Sequence, residues 1–132
     1  MSHISTAKLA LKGVKESIAV RAFENIAHQY GYSYTRNGTV TAMDRAKVKA
    51  DHIFQGNGLE KYDGIGVNIK QGEFEMVGEF YGRQSHVNNL KQYIAQGYTA
   101  EAYRESMLEM GMEVNISYNQ AGEIVLEGEV YN

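Results

Sequence analysis

Residues 62–82 read YDGIGVNIKQGEFEMVGEFYG, and how its five glycines are used decides the fold. Gly64-Ile65-Gly66 could open a phosphate-cradling loop. In a dinucleotide-binding fold, however, such glycines lie between a strand and a helix, and the helix N-terminus receives the phosphate. Here the pair runs into a strand. Ile65, Val67 and Ile69 alternate with glycine or polar positions. Gln71-Gly72 offers a turn, and Phe74, Met76, Gly78 and Phe80 then alternate with Glu75, Val77, Glu79 and Tyr81. A period of two belongs to strands, so the stretch reads as a β-hairpin whose glycines serve bends, bulges or close backbone approach. No Walker-type lysine-serine ending follows.

Working outward, residues 3–11 read as a first strand. In VKESIAVRAFENIAHQYG the period changes. Ile18, Ala22, Ile26 and Tyr30, flanked by Ala19 and Phe23, form the apolar stripe of an amphipathic helix, and Gly31 is placed to end it. Asn37-Gly38 between two β-rich runs predicts a hairpin turn. RAKVKADHIF then alternates, with Ala46, Val48 and Ala50 on one face and Arg45, Lys47 and Lys49 on the other. Beyond the central hairpin, Ser85 caps a helix over 85–96 with Val87, Leu90 and Ile94 inward. Gly97 breaks it, and Thr99 caps a second helix ending before Gly111. MEVNISY and EIVLEGEVY close the chain as a hairpin around Asn119–Gly122, with Glu123, Glu127 and Glu129 on its outer face.

Helix, glycine and hairpin thus occur twice, a faint internal repeat of one supersecondary unit. The pattern predicts a single α+β domain: an antiparallel sheet with helices packed on one face, ferredoxin-like in its simplest version. A length of 132 residues fits one domain that buries about two-thirds of its unfolded surface. The chain has no cysteine, which rules out disulfides, thiolate zinc sites and iron–sulfur clusters and suits a reducing cytoplasm. No apolar run approaches the ~20 residues that span a bilayer, and MSHISTAKLALKG lacks the apolar region of a signal peptide. A net charge of −3 argues against a general nucleic-acid coat.

Catalytic chemistry finds no foothold. His3, His28, His52 and His86 are never at metal-ligand spacing. Asp63 precedes Gly64 as a turn residue, and Glu75 with Glu79 reads as a solvated strand face. No serine sits in a nucleophile elbow. No cofactor is expected. The most unusual local feature is Arg45-Lys47-Lys49: cations at alternate positions of one strand stand about 6.6 Å apart. That spacing suits phosphates, and Tyr32, Tyr34 and Tyr62 are close enough in sequence to stack on bases. The competing reading is an edge strand guarded by lysine against aggregation.

MSH at the N-terminus, the quoted stretch of residues 62–82, and YTAEAYRESMLEMGMEV…GEIVLEGEV resemble a small family of unknown function. It is a hypothetical chloroplast reading-frame product with cyanobacterial, other bacterial and phage relatives. The resemblance runs through nearly the whole chain in order. Relatives often carry Trp where this chain has Phe80-Tyr81, and their middle segment lacks much of the Arg45–Phe54 strand. The resemblance implies no catalytic residues, and a gene neighbourhood that often includes AAA-type ATPases implies an adaptor role beside such a partner. The expectation is therefore a non-enzymatic, homo-oligomeric protein-interaction module, most simply a dimer. Its alternative is nucleic-acid or nucleotide binding through Arg45, Lys47 and Lys49.

Overall fold

The computed structural model of the protein describes residues 4–9, 11–118 and 124–130. The elements run β1 (Ser5–Lys8), α1 (Glu16–Tyr30), β2 (Ser33–Thr41), β3 (Lys47–Gln55), β4 (Ile65–Lys70), β5 (Glu73–Gly78), α2 (Gln84–Glu109), β6 (Met112–Tyr118) and β7 (Ile124–Val130). Five strands form an antiparallel sheet in the order β1-β5-β4-β3-β2. The fold is α+β with an antiparallel sheet, as the patterning predicts. The repeat pointed to a ferredoxin-like order; the strands instead make a meander from β2 to β5, closed by β1. The last hairpin, β6-β7, forms its own two-stranded sheet against α2. Its turn at Asn119–Gly122 lies outside the described residues.

Both helices contribute to one core on the front of the sheet. Ile18, Ala22, Phe23 and Ile26 of α1 and Val87, Leu90, Ile94 and Tyr98 of α2 meet Phe54, Ile65, Val67, Phe74 and Met76 from the strands. Phe23 is central, with its ring 4.9–5.7 Å from those of Tyr34, His52, Phe54 and Phe74. Gly31 ends α1 in the left-handed conformation, as its position predicts.

Several turn and helix assignments change, beginning with Ser85, which lies inside α2 rather than capping it, since the helix starts at Gln84 after Arg83. Gly97 does not break a helix: α2 is continuous from Gln84 to Glu109. A Cβ at Gly97 would stand 3.0 Å from Ile26 Cδ1, so this glycine lets α2 approach α1 closely. The contact is extended by the Tyr30–Tyr93 ring stack and by the Tyr98 hydroxyl, which accepts a hydrogen bond from Lys15 N at 2.9 Å. The Thr99 hydroxyl, read as a cap, instead donates to Ala95 O one turn back. Nor is Asn37-Gly38 a hairpin turn. Both residues lie inside β2, and the β2-β3 hairpin closes over 42–46, where Ala42 N donates to Ala46 O, Asp44 accepts from Ala46 N, and Arg45 takes a φ of 71°. Gln71-Gly72, by contrast, is a tight hairpin turn with φ positive at both residues, the backbone that type I′ turns need.

Asn37 still uses the left-handed backbone it favours, with φ 58°. It does so as a bend. Past it, the buried positions change face. His52 and Phe54 point to the helices, whereas Val40 and Ala50 join Ile53 and Val77 in a second, smaller cluster on the back of the sheet. The distal half of the hairpin therefore folds across that back face, toward the start of β4. Gly66 lies under the hairpin, where a Cβ would come within 2.4 Å of Ala50 Cβ. Gly64 has φ 87°, and a Cβ would stand 2.2 Å from Phe54 O. Close backbone approach, not phosphate binding, is what these glycines provide.

Candidate interaction surface

The hairpin tip is tied down by two buried charged residues: Glu79, which the strand pattern places on a solvated face but the fold buries, and Arg83, which no local pattern marks. Glu79, just past β5, is 1% exposed. Its carboxylate accepts from Met43 N at 2.8 Å and from Tyr81 N at 3.3 Å. Arg83, also buried, donates to the carbonyls of Glu79, Lys61 and Gly64, and its guanidinium lies 5.3 Å over the Tyr62 ring. Burial pulls the Arg83 pKa down, and the Glu79 carboxylate opposes that pull. Thr41 N donates to Tyr62 O, and the Thr41 hydroxyl to the Asp63 carboxylate at 2.6 Å. Three loops are fastened at one point, so the hairpin is held rigidly over the sheet.

That folding-over opens an edge. β3 pairs with β4 only at His52, Ile53 and Phe54. Beyond them the Asn68 side chain takes the place of a strand. Its Oδ1 accepts from Asp51 N at 2.7 Å, and its Nδ2 donates to Lys49 O at 3.4 Å. In an extended strand the N–H and C=O of one residue point the same way and alternate residues share a side. Lys49 N–H and the main-chain groups of Lys47 thus face the same open side, away from β2. Beside them runs a cleft of about 320 Å³, lined by Thr6, Val48, Lys49, Asp51 and Val77. Lys70 and Glu75 close one end as an ion pair at 3.0 Å.

The six residues singled out from sequence do not form one site. Lys47 and Lys49 lie on exposed positions of β3, while Arg45 is in the exposed turn before it. Three cations therefore crowd one hairpin, but not one strand face. Tyr32 is buried against Phe54 in the front core, and burial pushes its pKa up to about 12. Tyr34 is half-buried on the same helix-facing side, and Tyr62 lies under Arg83. None of the three rings is free beside Lys47 and Lys49.

A further polar cluster links α1 to the β2-β3 pair. His52 is fully buried, with Nδ1 2.7 Å from the Tyr34 hydroxyl and Nε2 3.0 Å from Glu16 Oε1, although poorly aligned for a hydrogen bond there. Arg36 also reaches Glu16 at 3.0 Å. Burial first, then the Arg36 charge, lowers the His52 pKa against the opposing pull of Glu16 and Asp51. Burial pushes the Tyr34 phenol up to about 12, so it keeps its proton and shares a hydrogen bond with Nδ1. A carboxylate–imidazole–phenol row has the members of a proton relay, but the imidazole has no open surface and both its nitrogens face protein groups. It acts as a tie between layers. Among the described residues no three His, Asp or Glu side chains gather as metal ligands, and no described helix is long and apolar enough to cross a membrane. No known family model, curated protein or solved structure matches the chain.

Proposed function

We propose that the protein is a non-enzymatic interaction module that takes an extended segment of a partner as an added strand along residues 47–51 of β3. One observation carries this reading. The edge of β3 is open next to a cleft, and an asparagine amide stands where a strand's peptide groups would bond. Strand addition uses main-chain hydrogen bonds for affinity and flanking pockets for selectivity. The rigid fastening at Glu79 and Arg83 supports it, because a pre-set edge loses little entropy on binding. A second copy of the chain is the first partner to test, as the homo-oligomer expectation requires, and an adaptor beside an AAA-type ATPase is the form the family resemblance favours.

Lys47→Pro is the discriminating variant. Lys47 opens β3, and its N–H faces the free side, a place where proline is tolerated in sheets. The variant should keep the circular-dichroism spectrum of the fold while losing self-association in sedimentation velocity and capture of any purified partner. Lys47→Ala should keep both. Equal association by wild type and Lys47→Pro would refute the reading.

A further inference from the structure

We infer that the segment this edge accepts is acidic, with carboxylates at alternate positions. The inference rests on the strand-addition reading above and adds the chemistry of the partner. Arg45, Lys47 and Lys49 are all exposed, and among the described residues none of them stands in an ion pair. Two acids lie nearby. Asp44 spends one oxygen on Ala46 N, and Asp51 flanks the edge at its far end. Lys70 and Glu75 cancel each other at the end of the cleft. The free edge thus has an excess of unpaired cations on a chain whose net charge is −3.

The spacing fits the same partner. Lys47 and Lys49 are two residues apart on one strand, so their side chains project from the same face. A strand added alongside carries its own alternate side chains at the same period, and a pair of carboxylates two residues apart meets both ammonium groups. The side chains between them enter the cleft, where half-buried Val48 offers apolar contact. An acidic, alternately apolar strand satisfies both surfaces. A basic strand meets three like charges there. Lysine at an edge repels indiscriminate pairing, and the same lysines admit a strand of opposite charge.

The test uses three synthetic nine-residue peptides in which valine alternates with glutamate, glutamine or lysine. Binding to the full chain is followed by fluorescence anisotropy, and hydrogen exchange is read at the Lys47 and Lys49 amides. The glutamate peptide should bind tightest and slow exchange at both amides. Lys47→Glu with Lys49→Glu, both outward-facing and so neutral for folding, should weaken it about tenfold, the effect of two exposed ion pairs, and should improve the lysine peptide. If glutamate and glutamine peptides bind equally and both protect the amides, strand addition stands and the acidic preference is overturned. If no peptide protects the amides, both are overturned. A single-stranded oligothymidylate that binds tighter than the glutamate peptide, without protecting the amides, would return the basic hairpin to nucleic-acid binding.

Discussion

Replacing Gly66 by alanine tests whether the β2-β3 hairpin lies across the back of the sheet. On backbone grounds alone the change should help, because glycine inside a strand costs roughly 0.5–1 kcal/mol relative to alanine. Its φ is not in the left-handed region, so alanine meets no backbone strain there. The opposing effect is steric. The new methyl would stand 2.4 Å from Ala50 Cβ and 2.9 Å from Val77 Cγ2. Ala50 has no rotamer with which to yield, and it is held by the strand above it. Overpacking of this kind costs about 1–3 kcal/mol and occasionally more. The clash therefore outweighs the backbone gain, and Gly66→Ala should lose about 1–2 kcal/mol. Urea unfolding should show a lower midpoint with an unchanged slope. Ala50→Gly removes the atom that is hit, so the double variant should recover most of the loss, with a coupling of about 1 kcal/mol. A Gly66→Ala protein as stable as wild type, or a double variant no better than the sum of the singles, would show that the hairpin does not cover Gly66.

Other expectations follow from the buried polar groups. His52 has a lowered pKa in the fold, against an ordinary value near 6.5 when unfolded. Protonation thus favours the unfolded chain. Stability should be full above about pH 6.5 and fall as the pH drops below it, and His52→Phe should flatten that part of the profile measured by thermal melts. An unchanged profile in the variant would show that His52 is not the group responsible. Arg83→Met strips the donors from three carbonyls and leaves Glu79 without a neighbouring cation. It should cost roughly 3 kcal/mol in urea unfolding, and Arg83→Lys should recover little, since an ammonium cannot match the fork of the guanidinium. Gly97→Val should separate α1 from α2 by crowding Ile26, lowering the melting temperature by several degrees.

What could be read from the sequence was what neighbours along the chain decide. The i, i+4 stripe of Ile18, Ala22 and Ile26 marks α1 because one helix face must be apolar whatever it packs on. Gln71-Gly72 marks a turn because two alternating strands flank it at the right distance. Gly97 is ambiguous because a glycine in a helix can mean either an end or a close crossing, and only the position of Ile26, far away in sequence, decides between them. Asn37-Gly38 has the same ambiguity: the left-handed backbone it favours suits a bend within a strand as well as a turn between two. The open edge of β3 and the fastening at Glu79 and Arg83 depend on which strands part company and which loops meet. No local period records that. The basic alternation of Lys47 and Lys49 is visible, but Tyr32 and Tyr34 turn to the opposite side of the sheet and Tyr62 lies under Arg83.

The position of β1 has a consequence for the order in which the protein assembles. Strands β2 to β5 follow one another in both sequence and space, so each joins its neighbour across a short loop. β1 precedes them all, yet among the described residues the strand it pairs with is β5, with Ser5 opposite Gly78. Closing so long a span of chain is entropically costly until the meander exists to receive it. β1 should therefore dock after the rate-limiting barrier. A cavity made at Ala7 by substitution with glycine should speed unfolding and leave refolding almost unchanged in stopped-flow measurements. A matching drop in the refolding rate would place β1 in the nucleus instead. Among the hydrogen-bonded amides of the sheet, the same geometry makes those of the N-terminal strand the first to exchange under native conditions, while the paired amides of the meander stay protected.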